Sequence, residues 1–110
     1  MEGVVKGDVV VVPFPFSDLT ATKRRPALVV ATLPGDDVIL CQITSRAFTD
    51  QSAIALTVPD FASGGLHRES YVRPTRLFTA DSRLILYRIG TLSSVKLQAV
   101  TSAIISLFRS

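Results

Sequence analysis

Two short polar stretches of this 110-residue chain carry side chains that could act on a phosphate group. The first is Lys23-Arg24-Arg25-Pro26, in which three consecutive cations directly precede an apolar, β-branched run. The second is Gln42-Ile43-Thr44-Ser45, which ends another such run. Arginine binds phosphate through a planar fork of N–H donors, and a hydroxyl group can donate a further hydrogen bond. Taken alone, the basic stretch could equally be a solvated turn, and the hydroxyls could simply terminate a strand.

Other reactive residue types are scarce, and their scarcity excludes several kinds of site. The chain has one histidine and one cysteine, whereas a structural zinc site needs four such ligands. We therefore expect no metal and no cofactor. Cys41 cannot form an intramolecular disulfide and is expected to be a buried apolar residue of a strand. His67 lies in a glycine-rich segment, where it could exchange protons with a substrate or could simply be a surface residue.

The composition agrees with a soluble protein, whose arginine content fits either ordinary surface charge or binding to phosphate groups. Nine of the twelve basic residues are arginines, and the formal net charge is +3. Charged residues make up 19% of the chain, against about 25% in typical soluble domains. The core should therefore be generous, or a partner should cover apolar surface. No apolar run approaches the ~20 residues of a membrane span, and no signal-peptide pattern opens the chain, so we expect a cytoplasmic protein without membrane association.

Hydrophobic patterning predicts several short strands followed by one helix. The predicted strands cover 8–12, 26–32, 38–44, 54–58, 70–73 with 77–79, and 84–90. Segments 17–25 and 59–67 are predicted loops. Prolines 13 and 15 should end the first strand, and Pro26 should open the second, because proline cannot continue a central strand. The turn at 34–37 predicts a hairpin between the second and third strands.

The C-terminal segment changes to a helical period. Ser93 is a plausible N-cap for a helix that runs to about Phe108. Its apolar stripe consists of Leu97, Val100, Ile104 and Leu107, with Ala103 and Phe108 beside it. Val95 and Ile105 lie off the stripe and are the first candidates for surplus apolar surface. Residues 1–110 are therefore expected to form one α+β domain, mostly β, with the helix packed on a curled sheet.

The two polar stretches and their surroundings resemble a known protein family. The similar segments are Gly7-Asp8-Val9-Val10, 13–19, 23–30 and 41–45, followed by 70–79 and 88–93. In this order they look like the PemK/MazF family, the toxin halves of bacterial toxin–antitoxin pairs, over roughly residues 5–107.

The resemblance implies a fold, an activity and a set of partners. The fold would be a small SH3-like antiparallel β-barrel with a C-terminal α-helix, assembled as a homodimer. The activity would be sequence-specific cleavage of single-stranded RNA, chiefly messenger RNA, without a metal. A cognate antitoxin protein would neutralise the toxin, and the complex with the antitoxin could bind DNA.

The resemblance also implies roles for individual residues. Arg25 and Thr44 match the family's catalytic pair, and Arg73 matches an arginine that several members use. Some branches carry an aspartate where this chain has Thr75, which puts an acid/base role there in doubt. The expected RNA-binding residues are Lys23, Arg24, Gln42, Ser45, His67, Arg73 and Arg76. Phe14 and Phe16 could stack on bases or pack in the core, and Gln42 could instead complete a hydrogen bond of the barrel.

Two other functions fit the same fold. The family of gyrase-poisoning toxins resembles this one in architecture and acts through a C-terminal Trp-Gly-Ile. This chain has no tryptophan and ends Phe108-Arg109-Ser110, which argues against that function. A non-catalytic RNA-binding barrel is the third possibility, and the presence of both Arg25 and Thr44 argues against it.

Overall fold

The computed structural model describes residues 3–15, 22–46 and 50–110. Within them the chain forms seven strands, two short 3₁₀ turns and one α-helix. The strands are β1 Asp8–Pro15, β2 Thr22–Thr32, β3 Asp37–Thr44, β4 Ile54–Leu56, β5 Phe61–Gly64, β6 Ser70–Asp81 and β7 Tyr87–Leu92. The helix α1 is Ser94–Arg109, and the 3₁₀ turns are Val58–Asp60 and Ser82–Leu84. No helix formed by the described residues combines the length and apolar character that a membrane crossing needs.

All seven strands belong to one antiparallel sheet in the order β4-β6-β3-β2-β1-β7-β5. A flat sheet of this order would hold its two edge strands about 29 Å apart, at ~4.8 Å per strand spacing. The edge strands β4 and β5 are nevertheless consecutive in the chain, and the path from Leu56 to Phe61 spans at most about 18 Å. The sheet must therefore curl until its edges approach one another, as the predicted barrel requires.

The curled sheet buries apolar side chains on both faces. On one face, Val9 of β1, Leu28 of β2 and Cys41 of β3 pair in a row and belong to a cluster that includes Val100 of α1. On the other face, the alternating residues of the same strands form a second cluster, which Ile85 joins from the segment between the second 3₁₀ turn and β7. Its strand residues are Val10, Val12, Ala27, Val29, Val38 and Leu40. Because successive side chains of a strand point to opposite faces, central strands that are buried on both sides read as unbroken apolar runs.

The helix agrees closely with the prediction. Ser93 caps α1, and its Oγ accepts a hydrogen bond from the Lys96 backbone N at 3.2 Å. Val100 is fully buried, and Leu97 and Ile104 pack beside it on the first cluster. Val95 and Ile105 are exposed as expected, but the stripe ends early, because Leu107 and Phe108 are exposed as well.

The prediction that prolines end β1 is wrong, because β1 continues to Pro15 and pairs with β2 throughout. β7 pairs with β1 only as far as Val11, whose carbonyl accepts from the Leu86 N. Because residues two apart on a strand direct their backbone groups to the same side, the Pro13 nitrogen points to the β7 side of β1. It lies beyond the last residue of β1 that pairs with β7. No ladder partner is therefore lost where proline lacks its N–H.

Strand β2 also begins earlier than predicted. It starts at Thr22, so Lys23, Arg24 and Arg25 are strand residues rather than loop, and Pro26 lies inside the strand. Pairing with β3 begins only at Ala27, so the Pro26 nitrogen again has no ladder neighbour on that side.

Four further boundaries differ from the sequence prediction. Segment 61–64, predicted as loop, forms β5 and pairs with β7. The predicted strand 54–58 stops at Leu56, and residues 58–60 turn into a 3₁₀ segment whose Thr57 N and Oγ1 both donate to the Asp60 carboxylate. The strand predicted at 84–90 lies at 87–92 instead. The two strands predicted around Pro74 are one strand, β6, which contains a bulge.

Candidate active site

The register of the sheet brings Arg25 and Thr44 together. Arg25 pairs with Val12 of β1, and Ala27 pairs with Gln42 of β3. Pairing of β2 with β3 ends at Ala27 and Gln42, and Arg25 and Thr44 each lie two residues beyond this last pair, toward the same end of the sheet. The two members of the predicted catalytic pair are thus on adjacent strands at one end of the sheet, although 18 residues separate them in the chain.

A cleft of about 270 Å³ opens at this end of β2 and β3. Arg25 and Thr44 both contribute to its lining. Its polar and charged lining residues are Lys23, Arg24, Arg25, Thr44, Ser45, His67, Arg68 and Ser70. None of these side chains is acidic, so the cleft is electropositive and suited to an anionic ligand.

The Thr44 hydroxyl is held by the turn that follows β3. Its Oγ1 accepts from the Arg46 backbone N at 3.1 Å and lies 3.2 Å from the Arg46 carbonyl oxygen, to which it can donate. Thr44 is also paired with Tyr71 of β6, whose hydroxyl donates to Glu69 at 2.6 Å. The side chain is therefore fixed before any ligand arrives, and its donated hydrogen can be redirected to a phosphate oxygen.

Arg73 lies beside this pair, in the bulge of β6. Val72 pairs with Ile43 and Leu77 with Cys41, so segment 73–76 lies opposite Gln42. The Arg73 Nε donates to the Asp50 Oδ2 at 2.7 Å. The Arg73 carbonyl accepts from the Cys41 thiol at 2.9 Å, which supplies a partner where the bulge interrupts the ladder. Burial raises the pKa of that thiol to about 12.

The structure divides the predicted RNA-binding residues into two groups. Lys23, Arg24, Ser45 and His67 line the cleft with Arg25 and Thr44. Gln42, Arg73 and Arg76 belong instead to the bulge region of β3 and β6, outside the cleft lining. All of these roles stay predictions, because position alone does not assign a function.

Of the two phenylalanines proposed as base-stacking residues, one can be placed. Phe14 packs on the second core cluster and meets Phe78 edge-on, with ring centroids 4.8 Å apart. It is thus a core-packing residue, the alternative left open by the sequence. Phe16 lies outside the described residues.

Sequence reasoning missed two neighbours of the site. Arg68 lines the cleft beside His67, and Asp50 holds Arg73. No spacing pattern links Asp50 to a residue 23 positions later, so only the tertiary structure identifies it. Among residues 3–15, 22–46 and 50–110, no group of three or more His, Cys, Asp or Glu side chains is arranged to hold a metal ion.

The fold is similar to several solved structures of toxins. A MazE–MazF complex from Deinococcus radiodurans superimposes with a TM-score of 0.75 at 22% identity, covering 96% of this chain and 95% of that chain. The Mycobacterium tuberculosis toxin MazF-mt6 gives 0.71 at 21% identity, with coverages of 93% and 96%. A mycobacterial endoribonuclease in complex with its cognate antitoxin gives 0.71 at 15% identity, with coverages of 96% and 93%. At these identities the likeness establishes the fold.

Sequence comparison establishes the family. A search of curated proteins gave no significant match. The family model described as the PemK-like, MazF-like toxin of type II toxin–antitoxin systems, however, matches residues 5–108. That range contains every strand and nearly all of the helix, including Arg25 and Thr44. The chain therefore belongs to the PemK/MazF-like family of type II toxins.

Proposed function

We propose that this protein is a sequence-specific endoribonuclease toxin that cleaves single-stranded messenger RNA in the cytoplasm without a metal ion. The observation that carries the proposal is the position of Arg25 and Thr44, which lie on the adjacent strands β2 and β3 and line the same electropositive cleft. Family membership supports the toxin role. The solved endoribonucleases of the same fold support the reaction class.

The chemistry needs only groups that the cleft offers. The 2′-oxygen of the RNA attacks the adjacent phosphorus, and the bond from phosphorus to the 5′-oxygen breaks. The products are a 2′,3′-cyclic phosphate and a 5′-hydroxyl. Arg25 stabilises the negative charge that develops on the phosphate oxygens, and Thr44 orients one of them by a hydrogen bond.

The 2′-hydroxyl must lose a proton and the leaving 5′-oxygen must gain one. Arginine remains protonated at neutral pH and so cannot accept a proton efficiently. His67 is the chain's one histidine and lines the same cleft. Imidazole can accept a proton from a hydroxyl group, so we assign removal of the 2′-hydroxyl proton to His67. The leaving 5′-oxygen lies on the opposite side of the phosphorus and takes its proton from solvent water. His67→Gln should lower kcat by about 10²–10⁴ while RNA binding is retained, whereas an unchanged kcat would assign removal of the proton to another group.

The decisive experiment is cleavage of a defined messenger RNA in EDTA, with new 5′ ends mapped by primer extension. Wild type should cut at discrete sites, and Arg25→Ala should lose them. Arg83→Ala is the matched control, because this exposed arginine pairs with Asp81 and lies outside the cleft lining. Wild-type protein that cuts no RNA across a wide range of sequences would refute the proposal. Gyrase inhibition or RNA retention without cleavage would then support one of the two alternatives.

The nucleophile can be tested separately. A single 2′-deoxy nucleotide at a mapped site removes the attacking oxygen and leaves the rest of the RNA unchanged. Cleavage at that position should cease while flanking sites are still cut. Continued cleavage there would point to water as the nucleophile.

Sequence preference is proposed to come from the bulge region. Gln42 and Arg76 carry an amide and a guanidinium group in this region, beside the cleft, and such groups bind the edges and faces of unpaired bases. Gln42→Ala should alter the preferred bases around the cut more than it alters the total cleavage. Loss of cleavage with an unchanged preference would contradict this assignment.

Two protein partners are part of the proposal. The antitoxin should carry acidic residues that meet the basic cleft, and excess antitoxin should abolish cleavage.

A second copy of the chain should form a homodimer that covers apolar surface. An apolar groove of about 420 Å³ between α1 and the sheet, lined in part by Ile105 and Phe108, is suited to such an interface. Phe108→Glu should shift the mass measured by light scattering toward the monomer.

A further inference from the structure

Asp50 is a nearly buried carboxylate in the segment that precedes β4. Its side chain is 8% exposed. The Ser52 N and Oγ donate to its Oδ1 at 3.0 and 2.6 Å. The Arg73 Nε donates to Oδ2 at 2.7 Å, with the Thr75 hydroxyl 3.4 Å from the same oxygen. These contacts lower the pKa of the carboxyl to about 2, chiefly through Ser52 and then through Arg73.

The geometry of this pair leaves most of the Arg73 guanidinium available. A guanidinium has five N–H donors, and the contact with Asp50 uses the one on Nε. Among the described residues, neither Nη nitrogen makes a hydrogen bond that meets ordinary geometry. Because the thiol of Cys41 holds the Arg73 carbonyl, the residue is anchored at both its backbone and the base of its guanidinium.

The anchored group is close to the proposed catalytic pair. Tyr71 pairs with Thr44 and Val72 with Ile43, and Arg73 follows Val72 directly, two residues along β6 from the partner of Thr44. Two residues of a strand span about 6.6 Å. An RNA backbone bound at Thr44 would therefore pass within reach of the Nη groups.

We propose that Asp50 is a positioning residue for RNA binding, which holds Arg73 by its Nε so that the Nη groups contact an RNA phosphate beside the catalytic pair. The inference rests on the proposed function and adds to it a residue that contacts no substrate. The negative charge of Asp50 does not oppose RNA binding, because the Arg73 guanidinium neutralises it and the Ser52 N and Oγ donate hydrogen bonds to it. A free arginine on a bulge would have to lose rotamer freedom when RNA binds, and Asp50 removes most of that cost before binding.

The test measures KM, kcat and binding for a set of variants. Asp50→Ala should raise KM about tenfold and leave kcat within about threefold, because one charge-assisted contact is weakened without touching the catalytic pair. Asp50→Ala combined with Thr75→Asp should recover most of the affinity, since Thr75 lies beside the same oxygen and a carboxylate there can reach the Arg73 Nε. Asp81→Ala is the matched control, because it also breaks an ion pair with an arginine and should leave KM unchanged.

A purely structural role for Asp50 predicts a different pattern. In that case the loss of activity of Asp50→Ala would equal its loss of folded protein, as measured by urea unfolding. The KM of the folded protein would be unchanged, and the added Thr75→Asp substitution would not restore activity. That result would overturn the proposal. Anisotropy titration of an uncleavable 2′-deoxy-substituted oligonucleotide keeps this test separate from catalysis. Protein that binds but does not cut would refute the endoribonuclease assignment alone, and equal affinities of wild type and Asp50→Ala would refute the role of Asp50 alone.

Discussion

Replacing Thr44 with valine separates catalysis from folding at the proposed site. Valine keeps the shape of threonine and removes only the hydroxyl, whose contacts are both to the Arg46 backbone in an exposed turn. Loss of the two hydrogen bonds costs about 1–3 kcal/mol of stability. Even if the free energy of unfolding is about 5 kcal/mol, the low end of the usual range, only roughly one molecule in 30 would then be unfolded.

The expected effect on the reaction is far larger. Removing one preorganised donor to the transition state typically lowers kcat by about 10²–10³, equivalent to ~2.7–4.1 kcal/mol. Thr44→Val should therefore lose at least about a hundredfold in kcat while more than about 95% of the protein remains folded. Thr44→Ser is the matched control, because it keeps the hydroxyl, and should stay within about fivefold of wild type.

Single-turnover cleavage of a fluorescent RNA measures kcat, and urea unfolding of the same preparations measures stability. If Thr44→Val and Thr44→Ser have cleavage rates within about threefold of each other, the hydroxyl does not act in the transition state. If the rate of Thr44→Val falls only in proportion to its folded fraction, Thr44 is a structural residue.

Three further outcomes test the packing and the ionisation of the fold. Val100→Ala, in the fully buried centre of the first cluster, should lower the free energy of unfolding by about 2–3 kcal/mol, whereas Val95→Ala, at a residue 78% exposed, should change it by less than about 0.5 kcal/mol. Equal effects of the two in urea unfolding would contradict the packing of α1. Cys41, whose pKa burial raises to about 12, should resist a thiol reagent at pH 8 in the native state and react when urea unfolds the chain; rapid native reaction would contradict its burial. Asp50, with a pKa of about 2, contributes stability that is complete above about pH 4 and is lost as the pH falls toward 2, so Asp50→Asn should make acid unfolding less steep over that interval. Identical acid profiles for the two proteins would exclude this contribution.

Much of the fold could be predicted, because in many segments the local sequence pattern favours the same structure that tertiary packing requires. The Ser93 cap and the spacing of Leu97, Val100 and Ile104 specify α1 within the chain itself. The predictions failed where the neighbouring strand decided the outcome. Pro13 and Pro26 were expected to mark strand ends, but each nitrogen faces a side of the sheet where no partner strand is paired.

For the site, sequence and structure contributed different parts. The sequence by itself determined the chemical groups: a run of cations ending at Arg25, a hydroxyl at Thr44, one histidine and an arginine at Arg73, in an order that identifies the family. Only the tertiary structure decided which of these groups meet. Pairing of β2 with β3 brings Arg25 and Thr44 to one end of the sheet, curling of the sheet brings His67 to the same cleft, and Arg73, in the bulge of β6, contacts Asp50. The physical reason is that strand pairing joins residues far apart in the chain, through backbone hydrogen bonds that no side-chain pattern records.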